Sequence, residues 1–494
     1  MNVSQLLRDA AARLPDKLAL IEAPGSVSLT FADLDREVEK LAAALAARGL
    51  KAGDRVAIVF PNVRHFPIAY LATLRAGGVA VPINLMLTAP EMGRIMADAD
   101  VSFAVVDPGF LEAAEAGARS GGVDIELISS AVWADLPDPP GASEITTGDD
   151  DLAVLSYTSG TTGEPKGAML SHANLLANLD QQMAIPRDTV HEGDVLFLTL
   201  PMFHIFGLNV PLGLLLLNGA TGLIVERFEP VDALRLIERH KVTVLFGAPP
   251  MYVAWVNTPG ADQYDLSSVR LAVSGAAALS EEVLQRFRDL FGIEIYEGYG
   301  LTETAPTLTT NRMAERPRPG SVGLPLPGVE LRVVDDKGDD VEFGDEGEIV
   351  VRGPNVFQGY WRKHDATERA FLNGWFRTGD LAVRDEDGFL YLVDRKRDLI
   401  IVSGFNVFPS EVEAALVANP KVAEAAVVGE KHPYTGETVK AYVVLDQGEQ
   451  TTEEELIGDV QTRIARFKCP TSIDIVDSLP HLLTGKVLRR ALRT

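Results

Sequence analysis

The chain is short of cysteine, of positive charge and of long apolar runs, and each shortage removes a class of explanation. One cysteine, Cys469, among 494 residues leaves no internal disulfide and no thiolate zinc site, so a reducing, cytoplasmic setting is expected. Against 70 Asp and Glu stand 45 Lys and Arg, a net charge of −25, which repels polyanions and argues against a nucleic-acid partner. Any phosphate-bearing ligand must then be held by local positive groups. The most apolar stretch, 210–225, is interrupted by Pro211, Gly213, Asn218, Gly219 and Gly222 and is too short to span a bilayer. Residues 1–9 lack the basic-then-apolar order of a secretory signal. Peripheral membrane contact and a homodimer are both compatible with this composition. There is no Gly-x-Gly-x-x-Gly after a strand and no Gly-x-Ser-x-Gly, which disfavours a NAD-binding oxidoreductase and a serine hydrolase.

What the chain does contain is 46% hydrophobic residues, enough for the two or more domains that its length demands. Thr30 is placed to cap a helix running through Leu34, Val38, Leu41 and Leu45 to Gly49. The strand 55–60, a second helix, the strand 79–83, a Thr88/Glu91 capping box and the strand 102–106 follow, which predicts a parallel sheet covered by helices. Residues 107–150, rich in Gly, Pro, Ala and Asp, read as a looser connector. Further strand–helix units run from Val195 to Tyr296, with Ser280 capping the helix after Ala277. From about Gly320 short strands with Gly/Asp turns suggest a small β-subdomain. A densely charged segment, 394–398, then precedes a self-contained tail of small-domain size. The expected class is α/β, with a large N-terminal domain of helix-covered sheets plus a β-subdomain (1–393), a hinge (394–398) and a small mobile α+β domain (399–494).

Between the strand 151–156 and a helix opening at Ser171 lies Tyr157-Thr158-Ser159-Gly160-Thr161-Thr162-Gly163-Glu164-Pro165-Lys166-Gly167. Glycines let backbone approach an anion, N–H groups and hydroxyls donate to its oxygens, and Lys166 adds a mobile charge, so the run suits a polyphosphate. It is not the common nucleotide loop, because Pro165 precedes the lysine and Gly167 follows it.

This run resembles the phosphate-binding signature of the adenylate-forming superfamily, and more closely its acyl-CoA synthetase branch. Further motifs occur in that family's order along essentially the whole chain. The resemblance implies activation of a carboxylic acid by ATP as an acyl adenylate, then transfer to a thiol, with ATP, Mg²⁺ and CoA required. Such chemistry needs no covalent nucleophile on the protein. It needs two anions held together and their charge neutralised.

By resemblance, Thr158 to Gly163 and Lys166 cradle phosphates, and Thr302 donates to the α-phosphate. Glu303 is the Mg²⁺ ligand, Tyr299 stacks on adenine, and Gly275, Ala276, Gly298 and Gly300 line the base or the acyl tunnel. Asp380 resembles the residue that holds both ribose hydroxyls, with Arg395 a second nucleotide contact. His204 resembles the gate of the acyl site, which Phe246, Gly275, Gly300 and Leu301 would also line. Val402, Ser403, Gly404 and Phe405 resemble the loop lining the pantetheine tunnel. Arg397 stands where the family hinges on Asp or Lys, so its pivot role rests on position alone. Taken singly, a His among apolar residues is a core residue, an Asp after Gly a turn residue and a Glu in a glycine-rich turn a solvated one; the motifs supply the functional alternative.

Amino-acid adenylation domains place an aspartate near the acid pocket, whereas 201–207 supplies no acidic group. The pocket is thus expected to take an acid without an ammonium, a medium- or long-chain fatty acid first and a cinnamate-type aryl acid second. Loading of a carrier protein is a further alternative, and a catalytically silent nucleotide-binding protein another, although Lys486, Glu303 and Asp380 are all present. Lys486, after Gly485 in a basic tail, resembles the mobile lysine that bridges carboxylate and α-phosphate. Lys486→Ala is expected to lower adenylate formation by about 10²–10³-fold; normal ATP–pyrophosphate exchange in that variant would exclude the role.

Overall fold

The computed structural model describes residues 1–494 except 24, 26, 140, 142–146, 160–164, 278, 396–398, 447, 481–491 and 493–494. Among the described residues, two large sheets form the N-terminal domain. A nine-stranded sheet has a parallel centre, in spatial order Ile295–Gly300, Leu271–Ser274, Val244–Gly247, Val195–Leu198, Thr221–Ile224 and Leu18–Glu22, with antiparallel strands at both edges. A six-stranded sheet is parallel from Glu126–Ser129 through Val101–Val106, Arg55–Val59 and Val79–Pro82 to Leu152–Ser159. It ends on the antiparallel strand Pro165–Ser171. The central strands, such as Val79–Pro82 and Val244–Gly247, are apolar and buried throughout, as strands covered on both faces must be.

The helix boundaries follow local chemistry. Thr30 Oγ1 accepts from the Asp33 N–H at 3.1 Å while Asp33 accepts from the Thr30 N–H at 3.2 Å, starting the helix Phe31–Ala47. Ser171 and Asn174 cap the helix His172–Met183 in the same reciprocal way, directly behind the phosphate-type run. Each such cap is worth roughly 1 kcal/mol.

After these come a five-stranded antiparallel subdomain built on Glu330–Val334, Glu346–Arg352 and Trp375–Arg384 and a smaller C-terminal domain. The latter's sheet, Phe405–Val407, Ile400–Val402, Gly436–Leu445, Val422–His432 and Ser472–Ile475, buries its own apolar cluster between Ile400 and Ile473. No described helix is long and apolar enough to cross a membrane.

The segment 107–150 departs from the expectation of a loose connector. It contains the helix Leu111–Gly121 and the strand Glu126–Ser129, which extends the six-stranded sheet. Its glycines had read as connector composition, yet they serve a helix crossing. A Cβ on Gly93 would lie 2.4 Å from the Gly117 carbonyl oxygen, and one on Gly121 would lie 2.3 Å from that of Gly93. Backbone meets backbone there, and the helix cost of glycine, about 1 kcal/mol each, is offset by close packing. Gly93→Val should therefore force the helices Ala89–Asp98 and Leu111–Gly121 apart and lower the thermal midpoint by several degrees; an unchanged melting curve would refute this.

Candidate active site

The strand Leu152–Ser159 pairs with Pro165–Ser171 so that Thr158 stands opposite Lys166 and Ser159 opposite Pro165. A Cβ on Gly167 would lie 3.0 Å from the Tyr157 ring, whose hydroxyl donates to Asp98 at 2.8 Å. Gly160, Thr161, Thr162 and Gly163 lie outside the described residues, as do Arg397 and Lys486. Of Ser159 and Arg395 only the backbone is described; Arg395 pairs with Asp380 across the ladder.

Facing this hairpin is the end of the strand Ile295–Gly300. Its partner, Thr307–Thr310, returns antiparallel after a single turn of 3₁₀-helix, Thr302–Thr304. Only glycine fits at 300, where a Cβ would fall 1.9 Å from the Pro306 carbonyl oxygen. That close return turns Thr302 and Glu303 toward Lys166. Glu303 is buried and accepts from the Tyr360 hydroxyl at 2.8 Å, while the Lys166 ammonium lies 5.4 Å from the centre of the Tyr360 ring. One tyrosine thus links the carboxylate and the cation, and no sequence motif pointed to it. Further along, the Tyr299 hydroxyl donates to Asp380 at 2.6 Å, and the Asp380 N–H donates to Thr378 at 3.1 Å.

These groups line one cavity of about 510 Å³. Thr158, Lys166, Gly298, Tyr299, Thr302, Glu303, Thr378 and Asp380 border one part of it, a mixture of hydroxyls, a cation and carboxylates matched to a nucleotide. Leu301, Gly275 and Ala276 also line it; a Cβ on Gly275 would lie 2.9 Å from the Phe206 ring. A further set of lining residues, His204, Phe206, Val210, Phe246, Val273, Thr307, Gln182, Thr310 and Arg312, is termed the second limb. His204 immediately precedes the helix Ile205–Asn209. Burial pushes its pKa below the usual imidazole value, so the ring is neutral at pH 7. Gln182 and Arg312 belong to none of the motifs read from the sequence.

A narrower channel of about 110 Å³ meets the same point, sharing Thr158, His204 and Thr302 with the main cavity. Its walls come from both domains: Pro82, Asn84, Arg94 and Tyr157 on one side, Phe405, Asn406 and Phe467 on the other. Gly404, at φ 86°, sits with its missing Cβ 3.7 Å from that of Ala276 and lines the main cavity. Phe405 lines the channel, whereas Val402 and Ser403 line neither. Val402 packs on the C-terminal core, and the Ser403 N–H donates to the Thr435 carbonyl. The domains are joined beside the channel by Lys468, which donates to Glu91 at 2.9 Å and to Glu411 at 2.7 Å. All three side chains are buried, and burial raises the Glu411 pKa despite the lysine.

Comparison with known proteins agrees with this geometry. Residues 7–361 match the AMP-binding enzyme family and residues 411–486 the AMP-binding enzyme C-terminal domain. The chain is 36% identical to a long-chain-fatty-acid–CoA ligase of Bacillus subtilis, over 99% of this chain and 94% of the relative. It is 38% identical to a feruloyl-CoA synthase of Amycolatopsis, over 95% and 94%. Among solved structures, a double mutant of o-succinylbenzoate CoA synthetase from Bacillus subtilis, bound with its product analogue OSB-NCoA, superposes with a TM-score of 0.89 at 31% identity, over 99% of this chain and 98% of that one. ATP-bound MatB from Rhodopseudomonas palustris gives 0.73 at 36% identity, over 100% and 98%. The chain belongs to the AMP-binding enzyme family, in the acyl-CoA synthetase branch of the adenylate-forming superfamily, whose members are AMP-forming carboxylic acid–CoA ligases.

Proposed function

We propose that this ligase activates a free carboxylic acid with an apolar body and no α-ammonium, a medium- or long-chain acid first. The observation that carries the reading is the second limb of the cavity. Its middle is walled by Phe206, Val210, Phe246 and Val273, with no acidic side chain among them, and it opens beside His204 onto the Thr158–Lys166 hairpin. An aryl acid is the second reading, favoured by the edge-on Phe206 and Phe246 rings, whose centroids lie 6.5 Å apart, and by the feruloyl-CoA synthase relative.

ATP, Mg²⁺ and CoA are the co-substrates of this family. In the proposed sequence, an oxygen of the acid's carboxylate attacks the α-phosphorus and pyrophosphate leaves. The CoA sulfur then attacks the acyl carbonyl and AMP leaves. Thr158, Lys166 and the loop between them receive the phosphates, Thr302 donates to the α-phosphate, and Tyr299 and Asp380 hold the nucleoside. Among the described residues no cluster of three or more His, Cys, Asp or Glu is arranged around a metal. Glu303 would be the protein's hard oxygen donor to Mg²⁺. The ion's contribution would be to neutralise phosphate charge. Lys486 would bridge the two reacting anions from the C-terminal domain, swinging about 394–398.

The present arrangement fits the second step. The turn at Gly404 occupies space beside Ala276, and the two-domain channel reaches the carboxyl end of the acid limb at His204. Superposition on the o-succinylbenzoate synthetase with its product analogue is better than on ATP-bound MatB, although the latter is closer in sequence. This supports the same assignment.

Two measurements check the proposal. Pyrophosphate release across free acids of graded length and aryl type should peak with an acid whose body is apolar, with CoA as acceptor; activity confined to amino acids or to a carrier protein would overturn it. Lys468→Met leaves Glu91 and Glu411 buried together without their cation. It should therefore slow single-turnover thioester formation about tenfold or more while ATP–pyrophosphate exchange falls less; equal losses would show that the contact does not belong to the second step.

A further inference from the structure

The far end of the acid limb is not apolar. Arg312 lines it together with Gln182 and Thr310, and the arginine is only 3% exposed. Its guanidinium is poorly satisfied. Nη1 donates to Gln182 Oε1 at 3.4 Å, Nη2 donates to the Asp188 carbonyl, and Nε has no hydrogen-bond partner. No carboxylate among the described residues lies within 4 Å of it. The carboxylate of Asp188 acts on it through space without an ion-pair contact, the Asp188 backbone carbonyl being the acceptor instead. Burial, aided by the Arg270 cation, pulls the Arg312 pKa down to about 10, still charged at pH 7.

A guanidinium cannot shed its proton to escape burial, and an unpaired buried cation is among the costliest features a fold can hold. Packing does not explain it, because the position borders empty volume. The neutral acceptors on hand, one amide and one carbonyl, leave donors over. A charged, planar donor lining a substrate pocket is matched by an oxygen anion on the substrate. The register of the strands fixes the place. Thr310 stands opposite Gly298 and Thr307 opposite Gly300, so Arg312 lies further along the chain, away from Gly300 and the turn that carries Thr302 and Glu303, while Phe206, Val210 and Phe246 line the same cavity.

We propose that the acid taken by this enzyme carries a second carboxylate at the end remote from the reacting one, separated from it by an apolar body, and that Arg312 with Gln182 receives that group. The inference rests on the reading of the limb as the acid pocket. It narrows the substrate class from apolar monocarboxylic acids to dicarboxylic acids. The reacting carboxylate stays at His204, and the distal one replaces the missing partner of the guanidinium. Arg312 is then a specificity-determining residue whose donors are left without a substrate partner when the bound acid ends in a methyl group.

The test compares paired acids of equal length, one ending in methyl and the other in carboxylate, by kcat/KM for pyrophosphate release in the full-length protein. Wild type should favour the diacid at its optimal length by about tenfold or more, since a pocket built to bond a polar group rejects the analogue that lacks it. Arg312→Leu should lower the diacid-to-monoacid ratio by about a hundredfold, and Arg312→Lys by less. Preference of the wild type for monoacids at every length, or an unaltered ratio in Arg312→Leu, would overturn the proposal. Should Arg312→Leu fail to fold, the wild-type series and Gln182→Leu, which should lower the same ratio, decide the matter. Val210→Trp separates the two layers of argument. If it leaves acid length preference untouched, the limb is not the acid pocket; if it shortens the accepted acids while Arg312→Leu leaves the ratio alone, only the distal carboxylate is excluded.

Discussion

A triphosphate and a carboxylate repel one another, and a chain with a net charge of −25 adds to the repulsion. Everything at the site answers that constraint. Positive charge is rationed to a few places and fixed there by uncharged neighbours. Lys166 lies by the face of Tyr360, and the same phenol orients Glu303, so one aromatic side chain positions both the cation and the carboxylate. Hydroxyls and backbone groups such as those of Thr158, Thr302, Thr378 and Gly298 add donors and acceptors without charge, while Asp380 adds a carboxylate that the Tyr299 hydroxyl holds. Long-range attraction does little here, and preorganised local donors do most of the work.

The fold serves this arrangement by bringing two strand ends together. One belongs to the six-stranded sheet and carries the Thr158–Lys166 hairpin; the other belongs to the nine-stranded sheet and carries Tyr299 to Glu303. The tight return at Gly300 fixes the second end.

Much of this was legible in the sequence because it is local. Thr30, Ser171, Ser280 and Thr452 each start a helix where a hydroxyl meets the N–H three residues on, and at Thr88 the Glu91 carboxylate accepts from both the hydroxyl and the N–H. The buried strands announce themselves as short apolar runs. Of the residues assigned to the nucleotide by motif, Thr158, Lys166, Gly275, Ala276, Gly298, Tyr299, Gly300, Thr302 and Asp380 border one cavity. What stayed hidden depends on contacts distant in sequence. Gly93, Gly117 and Gly121 belong to a helix crossing that composition alone turned into a connector. Tyr360 reaches Glu303 across 57 positions, and Gln182 meets Arg312 across 130. No window of neighbouring residues contains either pairing. Lys468 between Glu91 and Glu411 is the same case at the scale of domains.

The channel beside His204 has one wall from each domain, and that construction governs how a long guest departs. A tube bored through a single rigid body must be vacated end first, with the occupant drawn back along its whole length against friction from every side. A seam between two bodies splits lengthwise when they part, and the occupant is laid bare at once along its entire stretch. Release from such a seam takes a time set by the separation of the bodies, independent of how far the guest had been inserted.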